Sequence, residues 1–192
     1  VVGLDIGRWL VRASRWLGKH NLTEAQFLQA DMTAPPFPSE RFDIVFGVSV
    51  LHHLPECAVQ GVLLECRRML REGGKAIFFE PVENSALFDF LQNLIPIGDP
   101  EGEFYRPSIL NRTAWARYRD TLDDRPMHLR EFKQAARHFS SLRVTPYGLL
   151  NRLALLFGQR DSKRLLALDR FLLKWIPPLR YLAQEVLVIY VK

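Results

Sequence analysis

The chain alternates short, nearly unbroken apolar runs with longer stretches whose apolar residues recur at helical spacing. Runs at 1–6, 25–30, 43–51, 75–80, 141–147 and 185–192 read as strands. The run from Asp43 to Leu51 is apolar at almost every position and rich in β-branched residues. That is the pattern of a strand buried on both faces of a parallel sheet covered by helices. Helical patterns fall at 8–19, 56–70, 84–95, 109–119, 129–139, 149–157 and 163–176. The helix at 56–70 presents Val59, Val62, Leu63, Cys66, Met69 and Leu70 on one face. Proline and glycine mark the joints: a Pro-rich loop at 32–40, the Gly73-Gly74 stop, a Gly/Pro/acid loop at 96–107, and Pro177-Pro178. This alternation predicts an α/β fold, a doubly wound and mostly parallel sheet in one domain over 1–192.

Composition narrows the class. The 192 residues are 48% hydrophobic and 24% charged, enough for one domain with a sizeable core. No apolar run reaches the length of a membrane-spanning helix. Cys57 and Cys66 both fall in one predicted helix, which suggests reduced thiols in a cytoplasmic protein rather than a disulfide framework or a metal site. The opening Val1-Val2-Gly3-Leu4-Asp5, a buried-type strand with no polar lead-in, reads as the remainder of a longer protein. The net charge of +5 arises wholly beyond residue 81: residues 1–81 carry nine Lys/Arg and nine Asp/Glu, the rest seventeen and twelve.

The chemistry should sit where strands end, because ligands of open α/β sheets lie in the crevice at the carboxyl ends of the strands. Asp5 ends the first strand and Asp31, 26 residues on, ends the second. His52 and His53 follow the 43–51 strand, and Glu80 closes the 75–80 strand. Taken in order, VVGLDIG, QADM, PFPSERFDIVFGVSVLHHLP and LLECRRMLREGGKAIFFEP closely resemble class I S-adenosylmethionine-dependent methyltransferases, and most of all the small-molecule branch called methyltransferase type 11. The resemblance covers residues 1–81 motif by motif and is architectural beyond them.

That resemblance implies a Rossmann-like sheet of seven strands, the last antiparallel, with S-adenosylmethionine as cofactor. It implies that Asp5, beside Ile6, accepts from both ribose hydroxyls, that Asp31 with Met32 reads the adenine edge, and that Gly47 and Val48 line the methionine part. The family's first strand and Gly-rich turn have no counterpart here, which should leave an unpaired apolar gap in the sheet. Gly7 stands where many relatives have Ser. The resemblance also implies methyl transfer to a small molecule, and the Leu/Phe content of 82–139 and 149–184 favours a hydrophobic one, such as a lipid, quinone or polyketide-like acceptor. The segments 82–139 and 149–184, inserted around the core strands, would then build the cap over it, leaving 1–81 as the cofactor-binding half.

Each candidate has a plainer reading. Asp5 and Asp31 could be a helix cap and a turn residue, and Asp43 is read as a turn anchor outside the site. His52 or His53 could act as a general base, since imidazole titrates near neutrality, or could start a helix bonded to backbone. No ligand cluster stands near them for a metal. Glu80, Tyr105 and Arg106 are candidates for substrate contact, and equally for ordinary surface or strand-end residues. The basic amphipathic segment 160–180 could lie peripherally on an anionic membrane or pack as a cap helix with its cations reaching to water. Basic residues interleaved with Leu, and no recognisable module, argue against nucleic acid. The alternative to an enzyme is a catalytically inactive methyltransferase-like fragment or binding module; a dinucleotide oxidoreductase shares only the acid after the first strand.

Overall fold

The structure is a computed structural model and describes residues 1–7, 15, 25–82, 97–98, 105–106, 125, 127–150 and 162–192. Strands β1 (Val2–Asp5) and β2 (Gln26–Gln29) pair in parallel, Val2 opposite Gln26 and Asp5 opposite Gln29. A second sheet holds β3 (Phe42–Val48), β4 (Leu70–Pro81), β7 (Ser141–Tyr147) and β8 (Glu185–Val191) in the order β3-β4-β8-β7. Here β3 and β4 are parallel, while β8 runs antiparallel to both its neighbours. The α/β class, the Rossmann-like order and the antiparallel last strand are therefore as expected.

The core lies on one face of this sheet. Helix α1 (Glu56–Met69) buries Val59, Val62, Leu63, Cys66 and Met69, the face its sequence spacing predicts. These meet Ala76 and Phe78 of β4, Val186, Val188 and Tyr190 of β8, and Phe132 and Ala135 of α2 (Leu129–Ala136). Every second residue of β4 from Gly74 onward, and of β8, is buried, as a strand's alternation requires. Each large apolar side chain buried here stabilises by about 1.5–3 kcal/mol. The Tyr190 hydroxyl donates to the Phe132 carbonyl at 2.9 Å, which satisfies its polar end, and burial pushes the phenol far above its usual range. Burial likewise pushes the Cys66 thiol up to about 12, which keeps it protonated and unreactive.

Several boundaries differ from the sequence reading. Strand β3 ends at Val48 rather than at 51, because Ser49 takes a left-handed φ of 51° and the chain turns into a 3-10 helix over Leu51–His53. Helix α2 stops at Ala136 rather than at 139, loosening into turns in which His138 and Phe139 donate to carbonyls three residues back. The 96–107 loop contains a short antiparallel pair, β5 (Ile97–Gly98) and β6 (Tyr105–Arg106). Helix α3 (Ser162–Trp175) forms where periodicity places it. The predicted helices at 84–95 and 109–119 lie outside the described residues, as do nearly all of those at 8–19 and 149–157.

One expectation about the sheet fails and another holds. Among the described residues β3 is buried on one face only: Ile44, Phe46 and Val48 are 59%, 65% and 48% exposed. It is also an edge, paired with β4 alone, and the β1–β2 pair makes no ladder with it. This is the unpaired apolar edge anticipated from the sequence.

Candidate functional site

Parallel pairing brings Asp5 and Asp31 to the same end of the β1–β2 sheet. Asp5 is exposed; its Oδ1 accepts from the Gly7 N–H at 2.6 Å, and its other oxygen has no partner among the described residues. Gln29 Nε2 donates to the Ile6 carbonyl at 2.9 Å and Ala30 N–H to the Asp5 carbonyl at 3.1 Å, so the two strand ends are held together. Asp31 Oδ1 accepts from the Thr33 N–H at 2.8 Å. Backbone and side-chain hydrogen bonds from Thr33 hold the Asp31 carboxyl below its ordinary value, so it is ionised at neutral pH. The turn-forming roles are thus real, and each carboxylate stays at the surface, where it can also accept from a ligand. Ile6 is exposed, whereas Met32 packs toward the core.

Gly47 is where β3 meets the core. A Cβ there would lie 2.7 Å from Val50 Cγ2 and 2.9 Å from the Phe78 ring, so close packing demands glycine whether or not a ligand is near. Val48 beside it is partly exposed.

The next turn is organised by Glu80, which is completely buried. Its Oε1 accepts from the Val50 and Leu51 N–H groups, each at 2.9 Å; its Oε2 accepts from the His52 N–H at 3.3 Å and contacts His52 Nδ1 at 3.0 Å. The start of a helical turn leaves unsatisfied N–H groups pointing one way, and the carboxylate satisfies them. The 3.0 Å contact with Glu80 anchors the buried His52 ring at this turn. His53 is exposed, its ring centroid 4.0 Å from that of His52. The carboxylate of Glu80 is spent on the turn, and the residue bears on a substrate only through that turn.

Two residues that the sequence reading did not single out complete the turn. Arg125 donates its N–H to the His52 carbonyl at 3.2 Å and its Nε to the Leu54 carbonyl at 3.1 Å. Its guanidinium makes a two-pronged pair with the buried Glu131 of α2, at 2.9 and 2.6 Å. Burial pushes the Glu131 carboxyl up, but hydrogen bonds from Arg125 and the His128 N–H, with the guanidinium charge, together hold it below its ordinary value. Glu131 was legible as the third residue of a helix, where a side chain reaches back to the cap N–H, here that of His128 at 2.8 Å. Nothing local marks Arg125. Tyr105 and Arg106 form β6, and their side chains lie outside the described residues.

Among the described residues no three His, Cys, Asp or Glu side chains gather as a metal site. A cleft of about 460 Å³ between α1 and α2 is lined by Gln60, Leu64, Lys133, Gln134, Arg137 and His138, none of them a predicted site residue.

Residues 1–78 match the family model described as a methyltransferase domain. Over 76 residues the chain is 37% identical to a sterol 24-C-methyltransferase of Gibberella zeae, an alignment covering 38% of this chain and 20% of that protein. A SAM dependent methyltransferase from Archaeoglobus fulgidus superposes with a TM-score of 0.56 at 15% identity, over all of this chain and 75% of that one. Phosphoethanolamine N-methyltransferase 2 of Haemonchus contortus, in complex with S-adenosyl-L-methionine, does so with a TM-score of 0.62 at 15% identity, over all of this chain and 43% of that one. The match thus spans about a fifth of the sterol enzyme's length. Residues 1–78 are thus similar to methyltransferase-domain sequence, and the chain has the Rossmann-like fold of solved S-adenosylmethionine-dependent methyltransferases.

Proposed function

We propose that this protein is an S-adenosylmethionine-dependent methyltransferase acting on a small hydrophobic acceptor. The observation that carries the reading is the pair of surface carboxylates, Asp5 and Asp31, at the same end of two adjacent parallel strands within the methyltransferase-domain match. The donor set fits the cofactor: one Asp5 oxygen is unpartnered among the described residues and suits a ribose diol, and an ionised Asp31 suits the exocyclic amine of adenine. Ile6, Met32, Gly47 and Val48 complete the proposed lining. When bound, the cofactor supplies a methyl carbon already activated by positive sulfur. The protein's part is then to hold donor and acceptor in line and exclude water.

The turn after β3 is the proposed catalytic edge. Glu80 holds the His52 ring in place at this turn, which supports His52 as the base for an acceptor that must lose a proton. His53, exposed beside it, is the second candidate. Support for an acceptor cap over this turn comes from where the chain leaves and returns. Val82 continues from Glu80, and Arg125 comes back onto the His52 carbonyl, so both ends of the intervening stretch meet at the turn. The Leu and Phe content of 82–139 and 149–184 favours an apolar acceptor, and the sterol enzyme matched over residues of the cofactor half is consistent with one.

The alternative is a methyltransferase-like module that acts by binding a partner. Titration calorimetry of S-adenosylmethionine into the full-length protein separates the two. The methyltransferase reading expects binding at about micromolar Kd, weakened at least about tenfold by Asp5→Ala. A folded protein that does not bind it would leave the binding-module reading.

A further inference from the structure

Helix α3 has two unlike faces. One docks it to the fold. Leu173 and Asp169 are buried, and Asp169 accepts from the Gly148 N–H at 3.2 Å and the Leu150 N–H at 2.8 Å, pinning the helix to the turn after β7. The other face is apolar and open. Leu168, Phe171 and Trp175 recur at helical spacing and are 46%, 57% and 65% exposed. Exposed Ile176 and Tyr181 prolong the row past the helix end. Single exposed apolar residues are ordinary, but a contiguous row centred on two aromatics marks an interaction surface.

Charge says what it meets. Residues 162–181 hold five cations, Lys163, Arg164, Arg170, Lys174 and Arg180, against one acid. That acid is Asp169, buried and spent on backbone N–H groups, so the described residues of α3 offer no exposed carboxylate. Arg164 stands one turn before Leu168 on the apolar row, and Lys174 Nζ lies 5.4 Å from the Trp175 ring centroid. Arg180 folds back onto the helix end, donating to the Leu173 carbonyl at 2.8 Å and to that of Lys174 at 3.3 Å.

We infer that this face docks onto an anionic lipid bilayer, the helix lying in the interfacial plane. Leu, Phe and Trp enter the boundary between headgroups and acyl chains, Tyr181 sits at headgroup level, and the cations meet lipid phosphates. No described helix is long and apolar enough to cross a membrane, so the contact is peripheral. A second copy of the chain fits the face poorly, because a two-fold contact would set like charges against one another. This inference stands independently of the methyl-transfer reading.

The test is flotation of the full-length protein with vesicles of phosphatidylcholine alone or mixed with phosphatidylserine. The protein should float with the mixed vesicles only, and less at high salt. Phe171→Ser with Trp175→Ser should weaken partition at least about tenfold, and Lys163→Glu with Lys174→Glu about as much, each with an unchanged circular-dichroism melt. Failure of the natural protein to float, or flotation of either double variant equal to that of the natural protein, overturns the inference. So does a dimer in the absence of lipid that Phe171→Ser with Trp175→Ser dissociates, which would assign the face to a second copy.

Discussion

Glu80 sets the conformation of the turn that follows β3. Three backbone N–H groups and the His52 ring converge on its two oxygens at 2.9–3.3 Å. Glutamine keeps the shape but offers one acceptor oxygen and turns an amide N–H₂ toward the remaining donors. Glu80→Gln should therefore cost about 2–3 kcal/mol in urea denaturation, the scale of a buried donor left unsatisfied. A variant as stable as the parent would show that the turn does not depend on the charge. The strand-end position of Glu80 was readable in its own segment, but its orientation was not. Its partners lie 28–30 residues back in the chain, and only the parallel pairing of β3 with β4 brings them within reach.

At the scale of elements, the Arg125–Glu131 pair joins α2 to the His52 turn. Its pH dependence follows from the direction of the Glu131 shift. A carboxyl whose folded value lies below its ordinary 4.5 contributes stability that is fully present above that value and is lost as pH falls through the lowered one. Unfolding midpoints followed from neutral pH into the acid range should therefore fall steeply below about pH 4.5, and less steeply in Glu131→Gln. That variant should also lose about 3 kcal/mol near neutrality, because it strands a guanidinium that has given up solvent. Parallel acid limbs for parent and variant would remove Glu131 from the account. Helix α3 teaches a related lesson. Its sequence shows a single broad apolar stripe, whereas docking divides that stripe into a buried side around Leu173 and an open side around Phe171.

On the scale of the molecule, no ladder joins β1 to β3 among the described residues. The free edge of β3 carries exposed Ile44, Phe46 and Val48, a row of the kind that pairs with other chains. The 192-residue chain should accordingly self-associate, and Phe46→Lys should reduce light scattering several-fold while shifting the melting temperature little. Scattering unchanged by the charge would mean that this edge is not where association occurs.

By itself the sequence determined the order and type of the long strands and helices, the α1 core face, and the acids at the ends of β1 and β2. These are properties of neighbours along the chain, written in apolar periodicity and in the backbone preferences of Gly and Pro. Tertiary structure decided where β3 stops, which way Glu80 turns, that Arg125 returns to His52, and which side of α3 stays open. Each of these depends on a contact between distant segments, and a buried carboxylate or guanidinium is placed by the donors and acceptors it meets there.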